Sequence, residues 1–275
     1  MSRERTDAGA KVLVGHGGGP RVAPSAIVDP KARIGNDVEI GPNTIVGPDV
    51  EIGDGTRIGA CCLIEGWTVI GQRCRIFHSV VIGSEPQDLK YRGERTYLRI
   101  GDGNVIREFA TIHRATGEGL ATTVGNDNFI MAYAHVAHNC TVGNGVVLAN
   151  SVNMAGHVSI ADFVTIGGVT VIHQFVRVGR YSLIGGGLRI PMDVPPFVKV
   201  AGYPAKVNGL NTIGLARHGI TPETRRILKD AYKLMFHSDL NVSQAVKRIR
   251  SEIEPIPEIV HLLEFVESSR RGITL

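Results

Sequence analysis

From Val28 to Ile190 every sixth residue of this chain is aliphatic, and no other feature limits its fold so tightly. Of the 28 positions in that register 25 hold Ile, Val, Leu or Met, and only Asp88, Glu94 and Glu118 break it. Glycine follows the aliphatic residue at thirteen of them, as in Ile34-Gly35, Ile40-Gly41, Ile52-Gly53, Val142-Gly143 and Val178-Gly179. A period of six matches neither the 3.6 of a helix nor the two of a half-buried strand, so it describes a repeating coil. Short strands meeting at tight corners would turn one side chain inward per face, with glycine where the backbone bends most sharply. Three hexads then close one triangular turn, and about nine turns stacked at about 4.8 Å give a prism roughly 40–45 Å long. Aromatic residues are only 5% of the chain while glycine numbers 34. A narrow triangular interior has no room for rings, so Phe, Tyr and Trp are expected outside.

The register divides the chain into three parts. Residues 1–22 are polar and glycine-rich and read as a flexible N-terminal arm. Residues 23–196 form the coil, with two loops, 84–99 and 113–123, extruded where acids replace aliphatic hexad positions. Loops on a rigid scaffold commonly carry function. After Pro191, Pro195 and Pro196 the pattern turns helical, so 197–275 read as a small C-terminal helical domain. There Thr221-Pro222-Glu223 is a helix start with a capping Thr, Pro at the first helical position and an acid for the dipole. Ile227, Ala231, Leu234 and Met235 supply its apolar stripe. Asn241 with Gln244 predicts a second capped helix carrying Ala245, Ile249 and Ile253, and a third is expected after Pro257.

Composition narrows the function classes. No apolar run is long enough for a membrane span or a secretory signal, which places the expected location in the cytosol. Cysteines 61, 62, 74 and 140 have neither CxxC nor zinc spacing and read as buried free thiols. Residues 196–250 hold ten Lys or Arg against three acids, although the whole chain is only +4. Such a patch favours an acidic or phosphorylated partner. Helix-turn-helix, zinc-finger and base-stacking signatures of nucleic-acid binding are missing from the sequence.

The chemistry points to histidine. Five of ten histidines fall between 113 and 173: His113, His135, His138, His157 and His173. At eighteen residues per coil, His138, His157 and His173 are expected to line one edge of three successive turns. His78, His218, His237 and His261 read as structural. In the first loop, Asp88 and Lys90 place a carboxylate and an ammonium close together, which serves a ligand or a surface ion pair equally well.

With these residues in view the chain resembles a known family. The hexad coil, the loop Gln87-Asp88-Leu89-Lys90-Tyr91-Arg92-Gly93-Glu94, Ile112-His113-Arg114, Ala134-His135-Val136-Ala137-His138-Asn139-Cys140, Ala155-Gly156-His157-Val158, His173-Gln174-Phe175 and the tail Ser269-Arg270-Arg271-Gly272 are together similar to the bacterial UDP-N-acetylglucosamine acyltransferases of lipid A biosynthesis. The resemblance implies an all-β solenoid, a left-handed parallel β-helix of hexapeptide repeats with a small C-terminal α-helical domain, assembled as a homotrimer with sites between subunits. It implies a 3-hydroxyacyl transfer from acyl carrier protein to a UDP-sugar acceptor without cofactor, metal or covalent intermediate. His138 would be the general base and Gly156 the oxyanion donor. His157 and Gln174 would hold the sugar and its 2-substituent, and Asp88 the sugar hydroxyls. Lys90, His135 and Arg217 would lie near the diphosphate and uridine, with His113 and His173 also in the substrate site. Gly186 stands at the position that sets acyl length and, lacking a side chain, implies a long chain. Asn139, Ile213 and Pro204 depart from the family pattern, Asn139 standing where an aspartate often flanks the base.

Two alternatives stay open. The acceptor could be a 3-amino UDP-sugar, making the reaction an N-acylation. From another class, a γ-carbonic-anhydrase-like zinc lyase shares the coil and the histidines, although its ligand pair four residues apart does not match His135 and His138, which are three apart.

Overall fold

A computed structural model describes residues 18–275. The N-terminal arm expected over 1–22 lies mostly outside that range, and its last two residues belong to the coil: Arg21–Val22 is a strand paired with Glu39–Ile40. The chain winds as a left-handed parallel β-helix with three faces. The first face runs from Arg21–Val22 to Val198–Ala201, the second from Ile27–Val28 to Arg189–Ile190, and the third from Arg33–Ile34 to Arg177–Val178. The hand comes from the family resemblance and not from the repeat, since ordinary parallel crossovers are right-handed.

Each hexad contributes a strand that is mostly two residues long, whose second residue points inward. Ile40, Ile58, Ile76, Ile106, Ile130, Leu148, Ile166 and Ile184 stack down the first face, all nearly inaccessible. Parallel pairing joins residues eighteen apart, Ile45 with Leu63 and His135 with Asn153. At two coils the spacing widens: Ile82 pairs with Ile112, thirty on, and Ile112 with Val136, twenty-four on. The excess is two hexads and then one. These are the hexads of Asp88 and Glu94 and of Glu118, so whole repeats have been looped out and the sequence phase survives across them. The excursions are shorter than expected, because Tyr97–Ile100 and Ala121–Val124 pair within the third face. The loops proper are therefore 84–96 and 113–120.

Corners are closed by polar side chains. Between the third and first faces, Asp102, Asn126, Asn144 and Asp162 each offer Oδ1 to a backbone N–H one coil earlier, of Gln72, Asp102, Asn126 and Asn144 respectively. Inside, Thr44 and Thr56 donate to the carbonyls of Gly59 and Gly71, so the buried hydroxyls are paired. Cys62, Cys74 and Cys140 are buried free thiols, but Cys61 is exposed, because it occupies a left-handed corner (φ 57°) that points its side chain outward.

The coil also runs past the expected boundary at 196. Val198–Ala201 adds to the first face beside Leu183–Ile184, and Lys206–Leu210 returns antiparallel to it. Four helices follow: α1 (Thr212–Arg217), α2 (Pro222–Phe236), α3 (Val242–Glu252) and α4 (Pro257–Glu267). α1 has no counterpart in the sequence reading; six residues are too few to show a helical period. The caps behave as read: Thr221 accepts from Thr224 N, and Asn241 and Gln244 form a reciprocal capping box. The helices pack Leu228, Ala231, Met235, Ala245, Ile249 and Leu262 around a column of aromatic rings at one corner, Phe163, Tyr181 and Phe197. Phe197 is fully buried, but under the helices and outside the coil interior, where rings were expected to lie. Asp193 fastens the tail, accepting from Arg177 and Ser269 while its backbone pairs with Gly272 and Thr274.

Candidate active site

The corner between the second and third faces carries most of the predicted residues. A coil of eighteen defines three columns there: Ala137, Ala155 and His173; His138, Gly156 and Gln174; Asn139, His157 and Phe175. The three histidines expected on one line therefore sit in adjacent columns. His138 and His157 still meet edge to face at 5.3 Å, but the ring stacked on His157 is Phe175, at 4.6 Å. His173 turns to the carbonyl of Gln174 (3.1 Å). Phe175 is a neighbour of His157 to which the functional reading gave no role, although eighteen-residue counting from His157 reaches it.

His138 lies in a cleft of about 370 Å³ lined by His113, His135, Asn153, Met154, Gly156 and Val171, among others. Its orientation is fixed by Asn139. The Asn139 Nδ2 donates to the carbonyl of Thr116 (3.0 Å) and its Oδ1 accepts from Thr116 N (3.0 Å), which leaves no ambiguity about which end is oxygen. That oxygen is 2.8 Å from His138 Nδ1. Oxygen can only accept, so in the neutral ring Nδ1 carries the proton and Nε2 presents a lone pair to the cleft. Asp88 Oδ2 is 4.0 Å from Nε2.

Gly156 lies against the same ring. A Cβ on it would fall 2.5 Å from Cε1 and Nε2 of His138, so only glycine lets the imidazole rest there. At the corner between the third and first faces, the equivalent backbone N–H groups of Asn126 and Asn144 are bonded by side chains of the next coil. The N–H of Gly156 has no acceptor among the described residues. It is a free donor beside a free base.

The two loops that bring Asp88 and Thr116 to this corner are held by the acids that break the hexad register. Asp88 Oδ1 accepts from Lys90 N, Glu94 accepts from Arg92 N and Gly117 N, and Glu118 accepts from Arg95 N. Those backbone bonds hold the Asp88 and Glu94 carboxyls below the usual carboxylate range. His113 and His135 meet edge to face at 5.1 Å, and His135 Nδ1 pairs with Thr111. Burial, reinforced by His113 and His138, lowers His135 to about 4, and burial also lowers His113 and His157. These shifts favour the neutral forms of His113, His135 and His157.

The remaining predicted residues are divided between the rim of this corner and places remote from it. Lys90 and Gln174 are exposed on the rim. Arg217 is exposed at the end of α1. Gly186 stacks against Gly168 at the corner between the first and second faces, across the second face from His138. Among the described residues, no group of three His, Cys, Asp or Glu is placed to hold a metal ion. Part of the basic excess in the helices is neutralised locally, by Arg248–Glu252, Arg250–Glu267 and Lys233–Asp230.

A hexapeptide coil with a histidine lone pair opposed to a free backbone N–H defines a transferase of the hexapeptide-repeat class. Accordingly, a family of bacterial transferase hexapeptides (six repeats) matches residues 121–156, the C-terminal domain of GMPPB matches 22–87, and domain 2 of UDP N-acetylglucosamine O-acyltransferase matches 193–274. The acyl-[acyl-carrier-protein]–UDP-N-acetylglucosamine O-acyltransferases of Alkalilimnicola ehrlichii and Thermodesulfovibrio yellowstonii are each 51% identical, over 92% and 90% of this chain and 98% and 97% of their own lengths. The solved structure of the Acinetobacter baumannii enzyme LpxA aligns over 92% of this chain and 99% of its own, with a TM-score of 0.88 at 44% identity. The Bacteroides fragilis UDP-N-acetylglucosamine acyltransferase aligns over the same shares with a TM-score of 0.90 at 40% identity. The chain belongs to the acyl-[acyl-carrier-protein]–UDP-N-acetylglucosamine O-acyltransferase family.

Proposed function

We propose that this protein transfers a 3-hydroxyacyl group from acyl carrier protein to the 3-hydroxyl of UDP-N-acetylglucosamine, the first step of lipid A biosynthesis. The observation that carries the reading is the pairing of the bare Nε2 of His138 with the unpaired N–H of Gly156 in one cleft. Nε2 takes the proton of the sugar hydroxyl as its oxygen attacks the thioester carbonyl. The carbonyl oxygen becomes an oxyanion and is met by the Gly156 N–H, a donor that needs no rearrangement. Collapse breaks the C–S bond, and the imidazolium returns its proton to the departing thiolate. Asp88, 4.0 Å from Nε2, stabilises the imidazolium and is placed to accept from sugar hydroxyls. Neutral His157 and Gln174 bind the sugar and its 2-substituent; His113, His135 and His173 complete the substrate site, and Lys90 and Arg217 serve the diphosphate and uridine. No cofactor takes part.

The protein acts as a cytoplasmic homotrimer. Two features support the assembly. Gly186, the acyl-length position, stands at a different corner from His138, and large apolar side chains are exposed on the second face and its corner, including Ile27, Ile45, Val169 and Val171. Among the described residues no helix is long and apolar enough to cross a membrane. The basic segment 196–250 is the surface for the carrier protein.

The test is to supply 3-hydroxyacyl carrier protein with UDP-N-acetylglucosamine and, separately, with its 3-amino analogue. The expected product is an ester, released by mild alkali, from the first sugar. An alkali-stable amide from the second and no ester from the first would replace this reading with N-acylation.

A further inference from the structure

Arg114 is the one charged side chain that lies almost wholly inside the loop region, 7% exposed, and it is poorly neutralised. Its nearest carboxylate, Glu85, is 3.4 Å away and itself 71% exposed. Its Nε has no hydrogen-bond partner among the described residues. Burying a guanidinium under these conditions is costly, so the arrangement calls for a reason beyond stability.

Its contacts supply one. Nη1 donates to the carbonyl of Gly83 (2.8 Å), where loop 84–96 leaves the coil, and Nη2 donates to the hydroxyl of Tyr91 (2.9 Å), beyond the loop's tip. Tyr91 passes the bond on to the carbonyl of Glu94 (3.0 Å). The guanidinium also lies by the rings of Tyr91 (5.5 Å) and Trp67 (5.9 Å). Asp88 and Lys90 are strung between the two anchored points. The path of the side chain is built for it: a Cβ on Gly66 would come within 2.9 Å of Nη1 and 3.2 Å of Cδ.

We infer that Arg114 is a positioning residue for the transfer reaction, a strut that holds loop 84–96 closed so that Asp88 stays beside His138. This rests on the acyl-transfer reading above. Arg114 touches neither His138 nor the cleft, and acts only through the loop.

The sign of a pH effect separates this role from a direct one. The groups around Nε2 of His138 are the Asp88 carboxylate, the His157 ring, His135 on the same coil, His113 on the preceding coil and Lys90. Removing a nearby positive charge would by itself raise the affinity of His138 for a proton. Letting Asp88 swing away lowers it.

The experiment compares wild type, Arg114→Met, Asp88→Asn and the double variant by the pH dependence of kcat/KM, with hydrogen exchange of residues 84–96 followed in parallel. The expected result is a loss in Arg114→Met of about 100-fold in kcat/KM, the scale on which small misplacements act. Its acidic limb moves to lower pH, exchange across 84–96 quickens, and the double variant is scarcely worse than Asp88→Asn alone. An unchanged kcat/KM, an acidic limb moved to higher pH, or losses that multiply in the double variant would each overturn the inference. Should Arg114→Met not fold, Tyr91→Phe removes the hydroxyl that Nη2 engages and must shift the same limb in the same direction by less. Hydrogen exchange needs no turnover, so an inactive wild type would count against the acyl-transfer reading while slackening of the loop was still read independently.

Discussion

At the scale of single residues, the site depends on what is left unpaired. His138 owes its free Nε2 to an asparagine whose amide is fixed from both sides by Thr116, and Gly156 owes its free N–H to the lack of a capping side chain from the next coil. Replacing Gly156 with Ala puts a methyl group 2.5 Å from the imidazole, and the ring is the part that must yield. We expect Gly156→Ala to keep the wild-type melting temperature within a few degrees and to lose about 100-fold in kcat, since a displacement near 1 Å is enough for that. His135 sets a different signature. Its folded pKa of about 4 lies below the ordinary histidine value, so the unfolded chain binds the extra proton between about pH 6.5 and 4. Its contribution to stability is therefore complete above that window and lost as pH falls through it, by roughly 3 kcal/mol at the lower end. Urea midpoints at pH 7 and pH 4.5 should differ less in His135→Asn than in wild type.

At the scale of elements, the legible and the illegible parts of the chain have different physics. The hexads were readable because each inward aliphatic residue is buried independently of distant sequence, and the caps of α2 and α3 because capping is local. The columns at the active corner were harder: His138, Gly156 and Gln174 align only when an eighteen-residue step is applied strictly, and a shift of one or two residues moves a side chain to a neighbouring column. The loops illustrate both sides. Asp88, Glu94 and Glu118 announced themselves by breaking the register, but their partners, the N–H groups of Lys90, Arg92, Gly117 and Arg95, follow only from the folded geometry. Glu94 links the two loops, so Glu94→Ala should raise hydrogen exchange in 84–96 and 113–120 together and lower kcat/KM about tenfold, with the coil's exchange unaffected. Slackening of one loop alone would mean that the two are held separately. The ends of the coil also escaped the sequence, because Arg21–Val22 and Val198–Ala201 join it by backbone pairing without a hexad on their outer side.

At the scale of the whole molecule, a solenoid offers the same groove at every coil, and distance along and around it becomes a ruler. His138 at one corner and Gly186 at another are set apart by the width of a face, and Gly168 and Gly186 add no side chain to the second corner. A side chain at 186 would meet the carbonyl of Gly168 at 3.1 Å and project from that corner. In a panel of 3-hydroxyacyl carriers, Gly186→Met should move the preferred chain to a shorter one while sedimentation stays as in the wild type. Retention of the wild-type preference in a folded variant would remove Gly186 from the account.

The central claim is that His138 is the base for acyl transfer to UDP-N-acetylglucosamine. The most direct test is a mass-spectrometric transfer assay with a 3-hydroxyacyl carrier protein, run on wild type and on a folded His138→Ala variant at equal concentration. The account predicts product from wild type and a loss in the variant of at least 100-fold, the lower range for removing a positioned general base. Comparable rates in the two proteins would contradict it and send the search for the base to another residue of the cleft.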